Sequence, residues 1–191
     1  MTTSPARVRV TTLRTAADRD GVLALSRSLL RGTRDATTED REGFVTVPYD
    51  PRTLDALVAT APQVIAKAGR EVVGYALVLV PEARSAVPIL TPMFALLDRL
   101  EWRGAALAAQ AYYVMGQVAI AAPYRGLGLF DRLYAAHRRV LSDRFDVCVT
   151  EIALRNGRSL AAHARVGFET VAEYDDPTTG ETWRVVAWPW R

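Results

Sequence analysis

Apolar residues recur along this chain with two different periods that change places several times. "RVRVTTL" (7–13) alternates and predicts a first strand. In "TAADRDGVLALSRSLLRG" the apolar residues Val22, Leu25, Leu29 and Leu30 form a helical stripe that Gly32 is expected to end. The following "RDATTEDREGFVTVPYD" has no stripe and reads as a polar, turn-rich connection. Asp50-Pro51 then opens a short helix over "DPRTLDALVATAP". "QVIAKAG" and "EVVGYALVLV" flank Ala68-Gly69-Arg70 as a hairpin, and the second run is apolar enough to predict burial on both faces.

Residues 81–112 break this rhythm. "PEARSAVPIL" is loop-like, and "TPMFALLDRLEWRGAALAAQAY" predicts a helix interrupted near Gly104. A strand returns over 113–122. From Leu129 onward, Leu129, Phe130, Leu133, Tyr134, Val140 and Leu141 recur at helical spacing. "DVCVTEIAL" (146–154) is a further buried strand, and "NGRSLAAHARVGF" a short helix closed by Gly167. The end of the chain reads as a hairpin around Pro177 to Gly180. No repeat, low-complexity tract or linker divides residues 1–191. The pattern describes one α/β (α+β) domain built around a single mixed sheet.

Composition narrows the class. Half of the residues are hydrophobic and 24% charged, a globular balance. No apolar run approaches the about 20 residues that span a bilayer, and "MTTSPARVRVTTL" lacks the apolar core of a secretory signal. One cysteine, Cys148, permits no internal disulfide, so the expectation is a cytoplasmic protein away from membranes. The net charge of +3 comes almost wholly from arginine, since Lys67 is the only lysine. These arginines are interleaved with acids and not clustered, so no nucleic-acid face is expected.

The candidate chemistry lies in "GQVAIAAPYRGLGLFDRLYAAHRRVL" (116–141). A strand ends at a proline, and Arg125, Gly126 and Gly128 stand where a helix begins. Helix N-termini present unpaired N–H groups and partial positive charge, and glycine lets a diphosphate approach the backbone. Arg125 would add a charge-assisted contact. An ordinary tight turn with a surface arginine is the alternative. A P-loop would need Gly-Lys-Ser/Thr here, and a dinucleotide fingerprint would need glycine where Asp131 stands.

Strand, Arg-Gly-x-Gly turn, helix, strand, asparagine, short helix and Gly-Phe together resemble the GNAT superfamily of N-acetyltransferases over residues 113–170. Arg125 and Gly128 match that family's turn, while Phe130 takes the place of its last glycine or alanine. Asn156 is in register, Gly167-Phe168 close the motif, and His163 stands where the family commonly has tyrosine.

The resemblance implies an acyl-CoA N-acyltransferase fold, with a mostly antiparallel central sheet flanked by helices and a helical insertion before the cofactor-binding strand. It also implies acetyl-CoA as donor, with no metal. The diphosphate would lie on the amides of Arg125, Gly126, Leu127, Gly128, Leu129 and Phe130. The pantetheine arm would pair with the backbone of Val118, Ala119 and Ile120, steadied by Asn156, with the amide near Ile120 polarising the thioester carbonyl. A small-molecule or protein amine would attack that thioester directly.

Two residues are candidates for the proton transfers. Glu151 occupies an otherwise apolar strand, where a carboxylate needs a reason to be. It is the expected general base; a rim glutamate paired with arginine is the alternative. His163 is the expected acid for the leaving thiolate, or else a locally bonded histidine. His137, beside two arginines, reads as a surface residue, and Cys148 as a small buried apolar one. Met93, Phe94, Trp102, Tyr112 and Tyr113 in and after the insertion are expected to shape the acceptor pocket or to pack between helices. "WRVVAWPW" holds three of the four tryptophans and offers a homodimer edge, unless they pack on the sheet's own helices. A catalytically silent acyl-CoA-binding sensor of the same fold is the other functional reading.

Overall fold

The computed structural model describes residues 7–176 and 180–191. A seven-stranded sheet runs in the order β1-β2-β3-β6-β7-β9-β8. Its strands are β1 (Val8–Thr12), β2 (Val64–Ala68), β3 (Glu71–Leu79), β6 (Tyr112–Ile120), β7 (Val147–Ala153), β8 (Glu169–Asp176) and β9 (Glu181–Pro189). A separate two-stranded ribbon is formed by β4 (Glu101–Trp102) and β5 (Ala105–Ala106). The helices are α1 (Ala16–Leu29), α2 (Ala36–Glu42), α3 (Pro51–Thr60), α4 (Thr91–Leu97), α5 (Leu129–Leu141) and α6 (Gly157–Val166). Every described pair in the large sheet is antiparallel except β6–β7, whose parallel strands are joined through α5. The mixed sheet is what the hydrophobic pattern led to, and its mostly antiparallel order with flanking helices is what the resemblance implied.

The core follows from the strand chemistry. β3 is buried from Val72 to Leu79, as its continuous apolar run requires. Helix starts are set by local caps. Thr15 and Asp18 form a reciprocal capping box on α1, and Asp50 caps α3 just before Pro51. On α5 the buried face is Leu129, Leu133, Tyr134, Ala136, His137 and Leu141. His137 is fully buried, contrary to the surface placement expected from its arginine neighbours. It shares the i, i+4 row of Leu133 and Leu141, and its Nε2–H donates to the Ala76 carbonyl at 2.9 Å.

Three further expectations are corrected. Residues 36–42 are helical, not a turn-rich connection, because Asp35 accepts from the Thr38 amide at 2.9 Å and caps α2. α1 ends at Leu29, before Gly32, because the chain leaves it to bond the segment at Val45. Leu25 packs half-buried against the core, and Ser26 joins the inner face, where its hydroxyl donates to Gln117 at 2.9 Å. In the insertion only 91–97 is α-helical. Arg103 and Gly104, both at positive φ, turn the chain back as the β4–β5 ribbon. The hairpin between β8 and β9 is present, while Pro177 to Thr179 at its tip lie outside the described residues.

Candidate active site

The site begins where β6 and β7 part. They pair only from Tyr112 to Val114 against Val147 to Val149. At the fork the Thr150 hydroxyl donates to the Met115 carbonyl at 2.8 Å, and beyond it the strands diverge. On its other side β6 stays paired with β3, with a bulge at Gly116. Successive strand residues direct their N–H and C=O to opposite edges, and the Ala121 amide bonds Val73 on β3. Val118 and Ile120 therefore direct their backbone groups into the gap.

That gap is a cleft of about 600 Å³. Val118, Ala119, Ile120, Arg125, Gly126, Gly128, Leu129, Phe130 and Asn156 all line it. The side chain of Leu127 is exposed to solvent, and the group expected from it at the diphosphate is its amide. Gly126 and Gly128 sit at φ +75° and +69°, and a Cβ on either would meet nothing within 4 Å. Their role is conformational freedom, which keeps the turn open above the helix. Gly128 is the N-cap of α5, and no side chain caps the helix. The amides of Leu129, Phe130 and Asp131 thus have no intrahelical partner. The Phe130 ring packs inward on Tyr134 and His163, at 5.0 and 5.1 Å between centroids. The side chain that breaks the expected glycine pattern is held against this aromatic group at the cleft wall.

Arg125 is engaged differently from the expectation. Its Nε donates to the Ile120 carbonyl at 3.1 Å, and its Nη1 lies 3.0 Å from Glu42 Oε2. It closes the strand–helix turn on itself and ties it to α2. Asn156 is likewise committed: its Oδ1 accepts from the Ser159 amide at 3.2 Å and caps α6, and its Nδ2 donates to the Phe44 carbonyl at 3.5 Å.

A smaller chamber of about 70 Å³ adjoins the cleft at the fork, sharing Phe44, Val45, Val118, Asn156 and Ser159 with it. Glu151 and His163 both line this chamber. Burial pushes the Glu151 carboxyl up to about 7, against the opposing hydrogen bond from the Tyr174 hydroxyl; the charge of Asp176 adds to the rise. A carboxylate poised near neutrality beside a reaction space is what a general base needs.

His163 is built in otherwise than an acid. Its Nδ1 lies 2.8 Å from the Ser159 carbonyl, which only accepts, so Nδ1 carries the hydrogen. Nε2 then accepts from the Tyr134 hydroxyl at 2.6 Å. Edge contacts from Phe130, Tyr134 and Phe168 enclose the ring, and burial pushes its pKa down to about 4. The neutral ring has no hydrogen directed at the chamber. Cys148 is fully buried and its thiol pushed up to about 12, also by burial.

The insertion does not reach this site. β3 and β6 are antiparallel, so residues 81–111 emerge at the Val114 end of β6, the closed end of the fork. Met93, Phe94, Tyr112 and Tyr113 are core residues there. The chamber is walled instead by Phe44 and Thr46, which follow α2, and by Trp183 of β9. Trp183 and Trp190 are buried, and Trp188 packs on Phe168, so the C-terminal tryptophans serve the molecule's own interior. Sequence reasoning missed the contribution of α2. Its signal was Asp35-x-x-Thr38, a cap-and-acceptor spacing without any apolar stripe.

No protein-family model matches the sequence, and no curated protein matches it. Solved structures do. The ribosomal-protein-S18-alanine N-acetyltransferase of Escherichia coli aligns with a TM-score of 0.61 at 13% identity, over 96% of this chain and 94% of its own. A GNAT-family structure from Desulfovibrio desulfuricans gives 0.64 at 14%, over 97% and 100%. An acetyltransferase structure from Salmonella typhimurium, described with its cofactor acetyl-CoA, gives 0.61 at 14%, over 97% and 95%. The fold is that of the GNAT acetyltransferases along nearly the whole chain.

Proposed function

We propose that this protein is an N-acetyltransferase that moves an acetyl group from acetyl-CoA to a primary amine within a ternary complex. One observation carries the reading. The open β6 edge and the uncapped N-terminus of α5 face a single cleft, and the small chamber adjoining that cleft holds a carboxyl poised near neutrality. When bound, the cofactor supplies an activated acetyl thioester.

The chain's own residues do the rest. The amides of Leu129, Phe130 and Asp131 hold phosphate oxygens at the positive end of α5. The backbone groups of Val118 and Ile120 hold an extended arm as a further strand would, and an amide of this edge polarises the carbonyl. Glu151 accepts a proton from the incoming ammonium, directly or through water. A thiol of ordinary pKa, about 8.5, leaves as thiolate without an obligatory acid, so a neutral His163 is compatible with turnover. His163 positions the chamber wall and is not a proton donor.

The same sealed histidine favours a second reading, an acyl-CoA-binding module without catalysis. Calorimetry with acetyl-CoA, CoA, ATP and NAD tests the seat, and thiol release with a panel of amines separates the two readings. Micromolar binding of the CoA ligands with amine-dependent thiol release is expected. Binding with no release for any amine would favour the silent module. A folded protein that ignores every CoA species would end both.

A further inference from the structure

α2 brings to the cleft chemistry that the glycine turn does not require. Three guanidinium groups converge on the carboxylate of Glu42: Glu42 and Arg125 line the cleft, while Arg41 of α2 and Arg34, just before its N-cap, stand behind Glu42 outside the lining. Arg41 Nη2 lies 3.0 Å from Oε1, while Arg125 Nη1 and Arg34 Nη1 lie 3.0 and 3.5 Å from Oε2. The hydrogen bond from Arg41, and after it that from Arg125, holds the carboxyl below its ordinary range. Arg34 is anchored by a second bond, 2.7 Å to the Gly43 carbonyl. α2 is also tied down through Asp40, 3.0 Å from Arg155.

We propose that Arg34 and Arg41 join Arg125 as ligands of a diphosphate, and that Glu42 is a displaceable carboxylate that holds their place. The inference rests on the acyl-CoA reading of the cleft. One carboxylate offers two oxygens and one charge to three forked cations. Asp35, whose carboxyl also feels Arg41, is the further acid at this end of the cluster, so three cations against two carboxylates leave one positive charge over. A diphosphate offers more of both and satisfies more charge-assisted bonds. Glu42 stays ionised at neutral pH and would repel the phosphates if it kept its position, so binding exchanges one anion for the other. The opposite role, a fixed brace that only orients Arg125, predicts the opposite effect of removing the charge.

The test is calorimetry of the wild-type chain, Glu42→Gln and Arg41→Gln with three probes: CoA, inorganic pyrophosphate and pantetheine. Arg41 is 70% exposed, so its variant should fold, and thermal melts check both. Glu42→Gln should bind CoA and pyrophosphate more tightly, roughly 3- to 10-fold, as removal of a partly screened like charge gives. Arg41→Gln should weaken both, and pantetheine should respond to neither. Folded Glu42→Gln that binds CoA as the wild type does, or more weakly, would overturn the exchange and leave the acyl-CoA reading standing. Pyrophosphate binding that tightens in Glu42→Gln without any CoA binding would keep the seat and sink the acyl-CoA reading. No binding of either phosphate ligand would overturn both.

Discussion

Glu151 has its acidity set by burial and by two opposed neighbours, Tyr174 and Asp176. Burial raises its pKa to about 7 and the Tyr174 hydroxyl pulls it back. The base is the ionised form, so kcat/KM for amine acetylation should rise with pH through about 7 and level off above it. Glu151→Gln should flatten that limb and lower the rate about 10²- to 10⁴-fold. Tyr174→Phe removes a donor that favours the carboxylate, so the limb should move to higher pH with catalysis retained. A limb that stays in place in both variants would assign the titration to another group. Gln117 shows the same logic in a structural role. Its amide donates to the Val47 carbonyl at 2.9 Å and its carbonyl accepts from Ser26 and Tyr75 at 2.9 and 2.5 Å. Gln117→Leu would strand these buried groups and should cost about 1–3 kcal/mol or more in urea denaturation.

At the scale of elements, the strand–turn–helix unit from β6 to α5 carries the proposed cofactor site. Gly128 needs a left-handed φ as the N-cap and has open space above it. Gly128→Ala should therefore cost about 1 kcal/mol through backbone strain alone. It should also weaken CoA binding, because relief of the strain would turn the first α5 amides. A variant with unchanged stability and affinity would show that the turn tolerates any residue. Gly116 is constrained differently: a Cβ there would stand 2.8 Å from the Tyr49 hydroxyl, so the bulge and the tyrosine are fitted to each other. α2 marks the limit of local reasoning. It is short and polar, its start is a single aspartate, and its place over the cleft depends on Arg125 and Arg155 far along the chain.

At the scale of the whole molecule, burial of two neutral histidines makes the fold sensitive to acid. His137 and His163 are each pushed from 6.5 to about 4 by desolvation. The unfolded chain takes up protons below pH 6.5 that the folded chain refuses. The stability they contribute is full above that pH and is lost as pH falls towards 4. The slope should approach about 1.4 kcal/mol per pH unit for each ring. Glu151, raised to about 7 in the folded chain, has the opposite linkage over the same range. Urea midpoints at pH 7.5, 6 and 5 are therefore read in Glu151→Gln, where a midpoint unchanged to pH 5 would mean that the rings reach water.

The amino-acid pattern by itself determined the seven strands of the large sheet, α1, α3, α5 and α6, because most of them bury an apolar face whose period is visible locally and the rest lie between clear turn and cap residues. It also determined the glycine turn and the odd carboxylate of Glu151, since both break a local rule where nothing nearby compensates. The roles of Arg125, Asn156 and His163 were beyond its reach. Each depends on a partner brought close only by folding: Glu42 for the arginine, the start of α6 for the asparagine, Tyr134 and an aromatic enclosure for the histidine. The direction of the insertion was equally hidden. Composition shows that residues 81–112 are apolar, but only the antiparallel pairing of β3 with β6 puts them at the closed end of the fork. Local periodicity records what a residue buries, whereas the tertiary structure decides against what, and chemistry at this site depends on the second.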